Sequence, residues 1–381
     1  MSKNKKLIIK ILLWISRIFF GLVFIFSGFV KAIDPLGSAY KFEDYFIDAF
    51  GMDWMLFTAL PLALIMNIVE LVVGFAILFG LHIRITAWLG LLFMAFFTPL
   101  TLYIALTDPV SDCGCFGEAI IFSNWETFYK NIFLSVAILI VFFWRNKIKP
   151  LISNKADLIT LGIFTILGFM LSAYCLRNLP VIDFRPWKIG NYIPEQMEDI
   201  KPAEVNRYYI YKNIETGEEI EVTEDKIMQG EIPEASLWEF VKRKENVIDP
   251  GIPAPIANFA IYDEYGYDVT DYYFSYPGYI FLVVSYDLNK ANKNAYINKI
   301  NPLFKKAERS GIPVVFLSAS LQSDIEKFQQ NLNVSYNFYE AEDRELKTIV
   351  RSNPGLVLMK EGVMIDKWAH KNIPAFEDIE F

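Results

Sequence analysis

Two cysteines separated by one residue are the strongest chemical signal in this chain of 381 residues. Cys113 and Cys115 lie in the segment Asp-Cys-Gly-Cys-Phe-Gly, and the one further cysteine of the sequence is Cys175. Thiols two positions apart reach disulfide distance only where the backbone bends, and Gly114 and Gly117 permit the backbone angles of such a bend. A strained or exposed disulfide is easily reduced, so the spacing predicts a redox-active pair.

A purely structural disulfide is the other interpretation of the pair that stays open, and a metal site is a rival that the choice of ligands argues against. A tetrahedral metal site needs a full set of Cys and His ligands. The chain has two histidines, His82 and His370, and the topology derived below places them on opposite sides of a membrane. We therefore predict no metal site. Cys175 is a candidate resolving thiol for the pair.

The elements that position these cysteines follow from the distribution of apolar residues. Hydrophobic residues make up 54% of the chain and the mean hydropathy is +0.29, more than an ordinary soluble domain carries. They are concentrated before residue 178, whereas later residues alternate charged, aromatic and proline-bearing stretches. The sequence predicts an α-helical membrane bundle followed by a soluble α/β domain.

Five apolar runs are long enough to cross a bilayer core, which takes roughly 20 helical residues. Basic residues are found before the first run, at Arg84 after the second run, and within residues 145–155 after the fourth run. These three positions lie on one side of the membrane, and basic residues near short loops indicate the cytoplasmic side. With five spans, the cysteine loop and everything after Arg177 lie on the exterior side. The predicted spans cover residues 7–32, 56–80, 83–106, 125–144 and 158–175.

Charged side chains inside the predicted spans are costly unless they are paired. Arg17 and Glu70 each lie ten residues from the cytoplasmic end of their predicted spans, which places both roughly 15 Å deep. We predict a salt bridge between Arg17 and Glu70 that fixes the packing of two antiparallel helices, with Asn67 one turn from Glu70. A proton or ligand site at this polar cluster is the alternative interpretation.

The region after the spans divides into two predicted parts. Residues 207–224 alternate in the manner of a β-hairpin with a turn at Gly217, inside a linker module of residues 179–250. From residue 251 onward, strands and helices alternate in the order of an α/β domain.

The end of the α/β region carries a resemblance of its own. Residues 353–359, a turn and a strand to Trp368 resemble the closing hairpin of thioredoxin-like domains, with Pro354 at the cis-proline position of that family. Such domains carry Cys-x-x-Cys after the strand that corresponds here to residues 279–285. The chain has no cysteine there, which excludes a dithiol reaction within this domain.

Residues in the first 150 positions carry a second family resemblance. The first span ends with Phe26-Ser27-Gly28, then Lys31 and Asp34-Pro35, a pattern similar to the DoxX/MauE group of four-span membrane proteins. Glu70 with Gly74, and the loop from Cys113 to Gly117, resemble the MauE branch, which is linked to methylamine utilisation. The resemblance covers residues 8–148. It implies a four-helix bundle in a bacterial inner membrane and, for MauE, a role in maturing a periplasmic disulfide-rich dehydrogenase beside a thioredoxin-like partner.

We therefore predict periplasmic thiol–disulfide chemistry, or maturation of a periplasmic client protein, with a cytoplasmic N-terminus. The alternative is a non-catalytic membrane anchor or assembly factor whose cysteine-free domain binds a partner. The sequence leaves open whether the chain is an enzyme. The predicted domains are a DoxX/MauE-like bundle (1–150), a fifth span (151–178), the linker module (179–250) and a thioredoxin-like domain without active-site cysteines (251–381).

Several function classes are excluded. A formal net charge of −8 with no basic stripe argues against nucleic-acid binding. Phosphate-binding glycine loops and Ser/His/Asp constellations are absent from the sequence, which removes kinases and hydrolases. No cofactor is evident from the residues; a quinone inside the bundle is a further possibility that no single residue type supports. The expected partners are the lipid bilayer and a periplasmic client or thiol partner.

Overall fold

The structure is a computed structural model that describes residues 3–110, 112–151, 154–249 and 251–381. Residues 1–2, 111, 152–153 and 250 fall inside the predicted domains but lie outside the described residues. The described α-helices are α1 (Lys3–Ile33), α2 (Pro35–Asp44), α3 (Ala59–Phe79), α4 (Ile83–Thr107), α5 (Asn124–Trp144), α6 (Asn154–Arg177), α7 (Ile193–Gln196), α8 (Glu224–Met228), α9 (Thr270–Phe274), α10 (Lys293–Ala295), α11 (Asn301–Arg309), α12 (Gln322–Leu332) and α13 (Asp343–Ile349). The described strands are β1 (Glu204–Asn213), β2 (Glu219–Thr223), β3 (Trp238–Asp249), β4 (Tyr279–Val284), β5 (Val314–Ser318), β6 (Phe338–Glu340), β7 (Gly355–Lys360) and β8 (Val363–Ala369).

Five of the described helices are long and apolar enough to cross a membrane. The prediction of a multi-pass membrane part followed by a soluble α/β domain is confirmed at this level, and the fifth predicted span is one of the five helices. These segments are Asn4–Ile33, Asp53–Phe79, Ile83–Thr107, Asn124–Lys147 and Ala156–Arg177.

Small residues let the two central helices of the bundle approach closely. A Cβ atom added at Gly28 of α1 would lie 2.5 Å from the backbone nitrogen of Leu71 in α3, and one added at Gly74 would lie 2.7 Å from the nitrogen of Ile25. Backbone contact of this kind favours association of helices in lipid. The fifth helix joins this pair through Ser172, whose hydroxyl donates to the carbonyl of Ala32 at 2.9 Å.

A short helix, α2, follows α1 at the end of the bundle where α1 and α4 end, which we call the cysteine end. Its first turn is capped by Asp34, whose carboxylate accepts the backbone N–H of Gly37 at 3.0 Å, and Pro35 occupies the first helical position. A π-helical turn (Tyr45–Ala49) and a 3-10 helix (Asp53–Thr58) then lead into α3. This arrangement places α2 across the cysteine end.

The predicted salt bridge between Arg17 and Glu70 is wrong. The Arg17 guanidinium donates to the carbonyls of Ile77 (3.1 Å) and Leu78 (2.9 Å), in the last turn of α3, and Glu70 forms its ion pair with Lys31. Arg17 and Lys31 are separated by fourteen positions of α1, roughly 20 Å of helix. The depth count failed because the first turns of α1 extend beyond the end of α3, so the two helix ends do not lie level.

The α/β domain contains a mixed five-stranded sheet in the order β6-β5-β4-β7-β8. Strands β4, β5 and β6 run parallel, whereas β7 is antiparallel to β4 and β8 is antiparallel to β7. Hydrophobic clusters cover both faces of the sheet. Trp187 and Ile193 are fully buried in one of these clusters, so the core includes a segment that the sequence analysis assigned to the linker module.

The predicted hairpin pairs β1 with β2 in antiparallel register, with Tyr208 opposite Thr223. The structure adds a strand that the sequence analysis did not predict, β3, which pairs along the other edge of β1. Its residues from Glu239 to Ile248 are all exposed, and the run Lys-Arg-Lys-Glu has no alternation to indicate a strand.

Candidate functional site

The two cysteines face each other in the loop between α4 and α5. The sulfur atoms of Cys113 and Cys115 are 3.2 Å apart, longer than a disulfide bond of about 2.05 Å, so the pair is in its dithiol form. Gly114 and Gly117 have φ angles of +64° and +52°. Residues with side chains rarely adopt these angles, so the glycines allow the bend that brings the thiols together.

A salt bridge from α2 fixes the start of this loop. The Asp112 carboxylate accepts the backbone N–H of Gly114 at 2.8 Å and the ammonium group of Lys41 at 2.6 Å. A Cβ atom at Gly114 would lie 3.0 Å from Cγ of Lys41, so a side chain at this position would crowd the lysine. The bend between the cysteines is therefore tied to α2.

Two hydroxyl groups hold the cysteine carbonyls. The hydroxyl of Tyr45, after α2, donates to the carbonyl of Cys113 at 2.7 Å, and the hydroxyl of Ser27 in α1 donates to the carbonyl of Cys115 at 2.5 Å. With both carbonyls anchored, Cys113 and Cys115 both line a cavity of the bundle.

Two lysines of the spans lie beside the thiols. Lys130 of α5 exerts its charge on Cys115 and lies over the ring of Phe116, with its ammonium nitrogen 4.5 Å from the ring centre. Lys31 of α1, paired with Glu70, also exerts its charge on Cys115. Cationic neighbours stabilise a thiolate, which is the form of cysteine that reacts.

The two thiols differ in acidity. The hydrogen bond that the S–H of Cys113 donates to the Cys115 sulfur, together with the charges of Lys130 and Lys31, lowers the pKa of Cys115 to about 6, although burial acts in the opposite direction. The same hydrogen bond and burial raise the pKa of Cys113 well above its ordinary value. Near neutral pH the arrangement therefore favours one thiolate, on Cys115, and one thiol, on Cys113.

This asymmetry predicts the pH dependence of alkylation. In the reduced protein, the rate of Cys115 carbamidomethylation should rise with pH only up to about pH 6 to 7 and then level off. The rate for an ordinary thiol keeps rising to about pH 8.5. At pH 6 the larger thiolate fraction outweighs the lower nucleophilicity of an acidic thiol, so Cys115 should react about tenfold faster than a free cysteine. Mass spectrometry that quantifies each cysteine separately provides the measurement.

Lys130→Met should move the midpoint of that pH profile upward, because it removes a positive charge that stabilises the Cys115 thiolate. Lys290→Met, at a lysine of the soluble domain that pairs with Asp287, is the matched control and should leave the profile unchanged. A midpoint near pH 8.5 in the unaltered chain would contradict the assignment of Cys115 as the thiolate.

The cavity that the thiols line extends from the loop into the bundle and has a volume of about 180 Å³. Its polar end contains Lys31, Glu70 and Asn67 together with the thiols. Asn67 does not contact Arg17; its amide donates to the carbonyl of Lys31 (3.0 Å) and to the hydroxyl of Ser38 (3.1 Å). The predicted polar cluster thus joins the cysteine site through Lys31, and Arg17 lies outside it.

The α/β domain contacts the cysteine end through α2. Arg351 is 3% exposed and donates three hydrogen bonds of 2.9 to 3.0 Å to the Asp34 carboxylate, with Glu118 of the cysteine loop 3.9 Å away. The hydroxyls of Tyr40 and Tyr286 are 3.3 Å apart. Tyr286 opens the segment after β4, so this part of the domain is turned towards α2.

Other predicted residues lie apart from the thiol pair. Cys175 is buried in α6 and is not among the described residues that line the cavity. The Asn353–Pro354 peptide bond is cis, and its role in binding stays a prediction. His82 lies 3.7 Å from Asp157, whereas His370 hydrogen-bonds the Ser352 hydroxyl at 3.0 Å.

Three residues of the site were missed by the sequence analysis as functional candidates: Lys41, Tyr45 and Lys130. Lys130 had a usable signal, since it is a lysine six residues inside the fourth apolar helix, where charge is costly. Lys31 and Ser27 entered only as parts of a family pattern. Tyr45 and Lys41 had no local signal, because only the fold of α2 across the cysteine end brings them to the loop.

Comparison with known proteins gives one family match. The family described as "Methylamine utilisation protein MauE" matches residues 9–144, which cover α2 to α5, nearly all of α1 and the cysteine loop. No curated protein and no solved structure matches the chain. The membrane part is therefore similar to MauE, while the fifth helix and the α/β domain lie outside the matched region.

Proposed function

We propose that this MauE-like membrane protein is the membrane component of a periplasmic thiol–disulfide exchange system, with Cys113 and Cys115 as its reacting pair. The observation that carries the proposal is the 3.2 Å separation of the two sulfurs. The charges of Lys130 and Lys31 beside Cys115 support it, since a purely structural disulfide needs no stabilised thiolate.

The exchange step follows from the difference between the two thiols. A client thiolate attacks the Cys113 sulfur of the oxidised pair, the Cys113–Cys115 bond breaks, and Cys115 leaves as the better leaving group. The second client thiolate then displaces Cys113 from the mixed disulfide. Two client thiols become one disulfide, and the cysteine pair takes up the two electrons and the two protons.

The orientation and the domain assignment belong to the same proposal. The cysteine end and the α/β domain lie in the periplasm, supported by the basic residues near the opposite end of the bundle. The α/β domain is thioredoxin-like, supported by two parallel strands, β4 and β5, followed by the antiparallel strands β7 and β8 in one sheet. Because it has no cysteine, it positions the loop and the client and does not react itself.

The client is a protein with disulfides to be made or rearranged in the periplasm. The description of the matched family names methylamine utilisation. For this chain we propose only the type of chemistry, which is maturation of a periplasmic client by thiol exchange.

Two-step alkylation of the full chain in membranes tests the proposal. Free thiols are blocked with light N-ethylmaleimide, disulfides are reduced, and the released thiols are blocked with the heavy reagent. We expect Cys113 and Cys115 to become oxidised together under glutathione disulfide and reduced together under dithiothreitol, because their sulfurs are already in contact. Mass spectrometry of the peptide that contains both residues gives the fraction in each state.

Cys175→Ser is the control for that experiment. It should leave the cycling of the pair unchanged, since Cys175 does not line the cavity with the pair. A pair that neither oxidant nor reductant changes would sink the proposal.

The second candidate function is a non-catalytic assembly factor. The polar contacts between the α/β domain and α2 favour it, since they join the two parts without any thiol. The combined substitution of Cys113→Ser and Cys115→Ser separates the two functions. It abolishes oxidation of a reduced dithiol client if the pair reacts, and leaves the client's maturation intact if the chain acts as a scaffold.

A further inference from the structure

The cavity behind the cysteine pair changes character along its length. Beyond the thiols and lysines its wall is apolar and aromatic, formed by residues such as Phe93, Phe97 and Leu100 of α4. Phe97 and Phe93 lie about three and four turns inside the end of α4 at Thr107. The cavity therefore joins a polar end at the cysteine loop to an apolar end within the membrane-spanning bundle.

The cavity reaches the outer surface of the bundle. Phe96 of α4 and Phe50 both line it, and their side chains are 61% and 46% exposed. Met66 of α3 lines the cavity as well. On a helix that spans a membrane, an exposed phenylalanine faces the hydrocarbon chains. Because Phe96 both lines the cavity and faces the bilayer, the cavity lies next to the hydrocarbon at α4, where a lipid-soluble ligand has access to it.

The dimensions and the polar groups restrict what the ligand is. An apolar cavity of about 150 Å³ holds a benzene ring, so the cavity here, about 180 Å³, accommodates a substituted six-membered ring. Lys31 and Lys130 line its polar part, and their ammonium groups are hydrogen-bond donors suited to carbonyl oxygens. An apolar cavity with a few convergent donors is typical of a small-molecule site.

A dithiol that is oxidised in every turnover needs a two-electron acceptor. We infer that this cavity binds a lipid-soluble quinone that reoxidises the Cys113–Cys115 dithiol. The inference rests on the proposed function, because a pair that does not cycle delivers no electrons. It goes further by naming the acceptor and the place where it binds.

The step balances in atoms and electrons. The two thiols lose their hydrogens and one S–S bond forms, while the quinone gains two electrons and two protons and becomes a quinol. The Cys115 thiolate attacks a ring carbon of the quinone and forms a C–S bond. The Cys113 sulfur then attacks the Cys115 sulfur, so that the S–S bond forms, the C–S bond breaks and its electron pair stays with the quinol. Cys113 supplies one proton of the quinol, and Lys130 supplies the proton that Cys115 has already released. Lys31 and Glu70 form an ion pair beside the same cavity and can return protons to it.

The test uses the full chain, reduced and anaerobic in lipid nanodiscs, with decyl-ubiquinone as the probe. We expect one quinol for each cysteine pair oxidised, measured by ultraviolet absorbance and by thiol alkylation of the same sample. Leu100→Trp fills the apolar end and should slow quinone reduction about tenfold or more. The same variant should still exchange with glutathione disulfide at the unaltered rate.

Phe143→Trp is the matched control, since Phe143 is 71% exposed on α5 and does not line the cavity. It should reduce quinone at the unaltered rate. If Leu100→Trp does not fold, a photoreactive azido-quinone replaces it, and labelled peptides from α4 and the cysteine loop are the expected result.

Each of the other possible results overturns either the quinone site or the proposed function. Oxidation by glutathione disulfide without any reaction with quinone overturns the inference and leaves the proposed function intact. Reaction with neither oxidant overturns the proposed function. Quinone reduction that Leu100→Trp does not slow, or azido-quinone labels outside the cavity, places the quinone elsewhere. A phospholipid that co-purifies in the cavity of a chain inert to quinone identifies a structural lipid instead.

Discussion

Replacing Arg351 by methionine should loosen the α/β domain from α2 and raise amide exchange there by about a hundredfold. Arg351 is almost fully buried and gives three hydrogen bonds to the Asp34 carboxylate. Removing one partner of a buried ion pair leaves the other charge uncompensated, at a cost of about 3 kcal/mol or more. A free-energy loss of that size corresponds to about a hundredfold change in an opening equilibrium. Hydrogen–deuterium exchange of residues 35–44 and 343–354 provides the measurement.

Arg344→Met is the matched control for this prediction. Arg344 also bridges the two parts, through Asp48 at 2.6 Å and Asp44 at 3.4 Å, but its side chain is 61% exposed. Exposed ion pairs contribute about 1 kcal/mol or less, so exchange should rise by no more than about fivefold. Equal effects of the two substitutions would show that Arg351 is no more important to docking than a surface arginine.

The contact between Arg351 and Asp34 should not respond to pH between about 5 and 8. Burial alone would raise the pKa of the Asp34 carboxyl, but the charges of Arg351 and Arg185, together with the hydrogen bonds from Arg351 and the N–H of Gly37, outweigh it and the pKa is lowered. A lowered folded-state pKa means that the ion pair contributes fully above the unfolded value of about 3.9 and is lost as pH falls through the folded value. Docking should therefore be constant from pH 8 to about pH 5, after correction for intrinsic exchange rates. Release near pH 6 would point to another group.

The spans and the contact between the two cysteines could both be predicted from the sequence alone. Apolar runs identify spanning helices because lipid leaves a helix few alternatives, and all five predicted runs correspond to helices such as Asn4–Ile33 and Ala156–Arg177. The spacing of Cys113 and Cys115 equally indicated a contact, since Gly114 between them permits the bend. Both signals are local, so no tertiary information was needed.

The remainder of the site depends on tertiary placement. Lys41 and Tyr45 reach the cysteine loop because α2 lies across the cysteine end, and nothing in residues 35–49 encodes that direction. The long charged strand β3 is stabilised by pairing with β1 and not by its own pattern. Trp187 was assigned to a linker, although it is fully buried in the core of the α/β domain. Local patterns do not specify such long-range contacts.

Lys31→Met should be the most destabilising single substitution in the spans, with a loss of about 3 kcal/mol in the free energy of unfolding. It leaves the Glu70 carboxylate without its ion-pair partner in a helix that crosses hydrocarbon. Glu70→Gln should cost less, because the amide oxygen can still accept a hydrogen bond from the lysine. Unfolding of the purified chain in mixed detergent micelles, followed by tryptophan fluorescence, measures both losses.

Double-substitution cycles then decide which pairing holds the bundle together. The structure predicts that Lys31→Met and Glu70→Gln are coupled by about 1 kcal/mol or more, because the two side chains are in contact. Arg17→Met should add to Glu70→Gln within about 0.5 kcal/mol, since roughly 20 Å of helix separates Arg17 from that pair. Arg17→Met still has a cost of its own, because its guanidinium hydrogen-bonds the carbonyls of Ile77 and Leu78.

A measured coupling between Arg17 and Glu70 would support the salt bridge predicted from the sequence. It would contradict the helix register in which Gly28 contacts Leu71. The cycle therefore tests more than one ion pair. If α1 and α3 shifted by the roughly four turns that an Arg17–Glu70 pair requires, Lys31 would leave the polar end of the cavity. The Cys115 thiolate would then lose one of its two cations. The stability of the bundle and the reactivity of the cysteine pair depend on the same helix register, so Lys31→Met should also shift the Cys115 alkylation profile to higher pH, as Lys130→Met does.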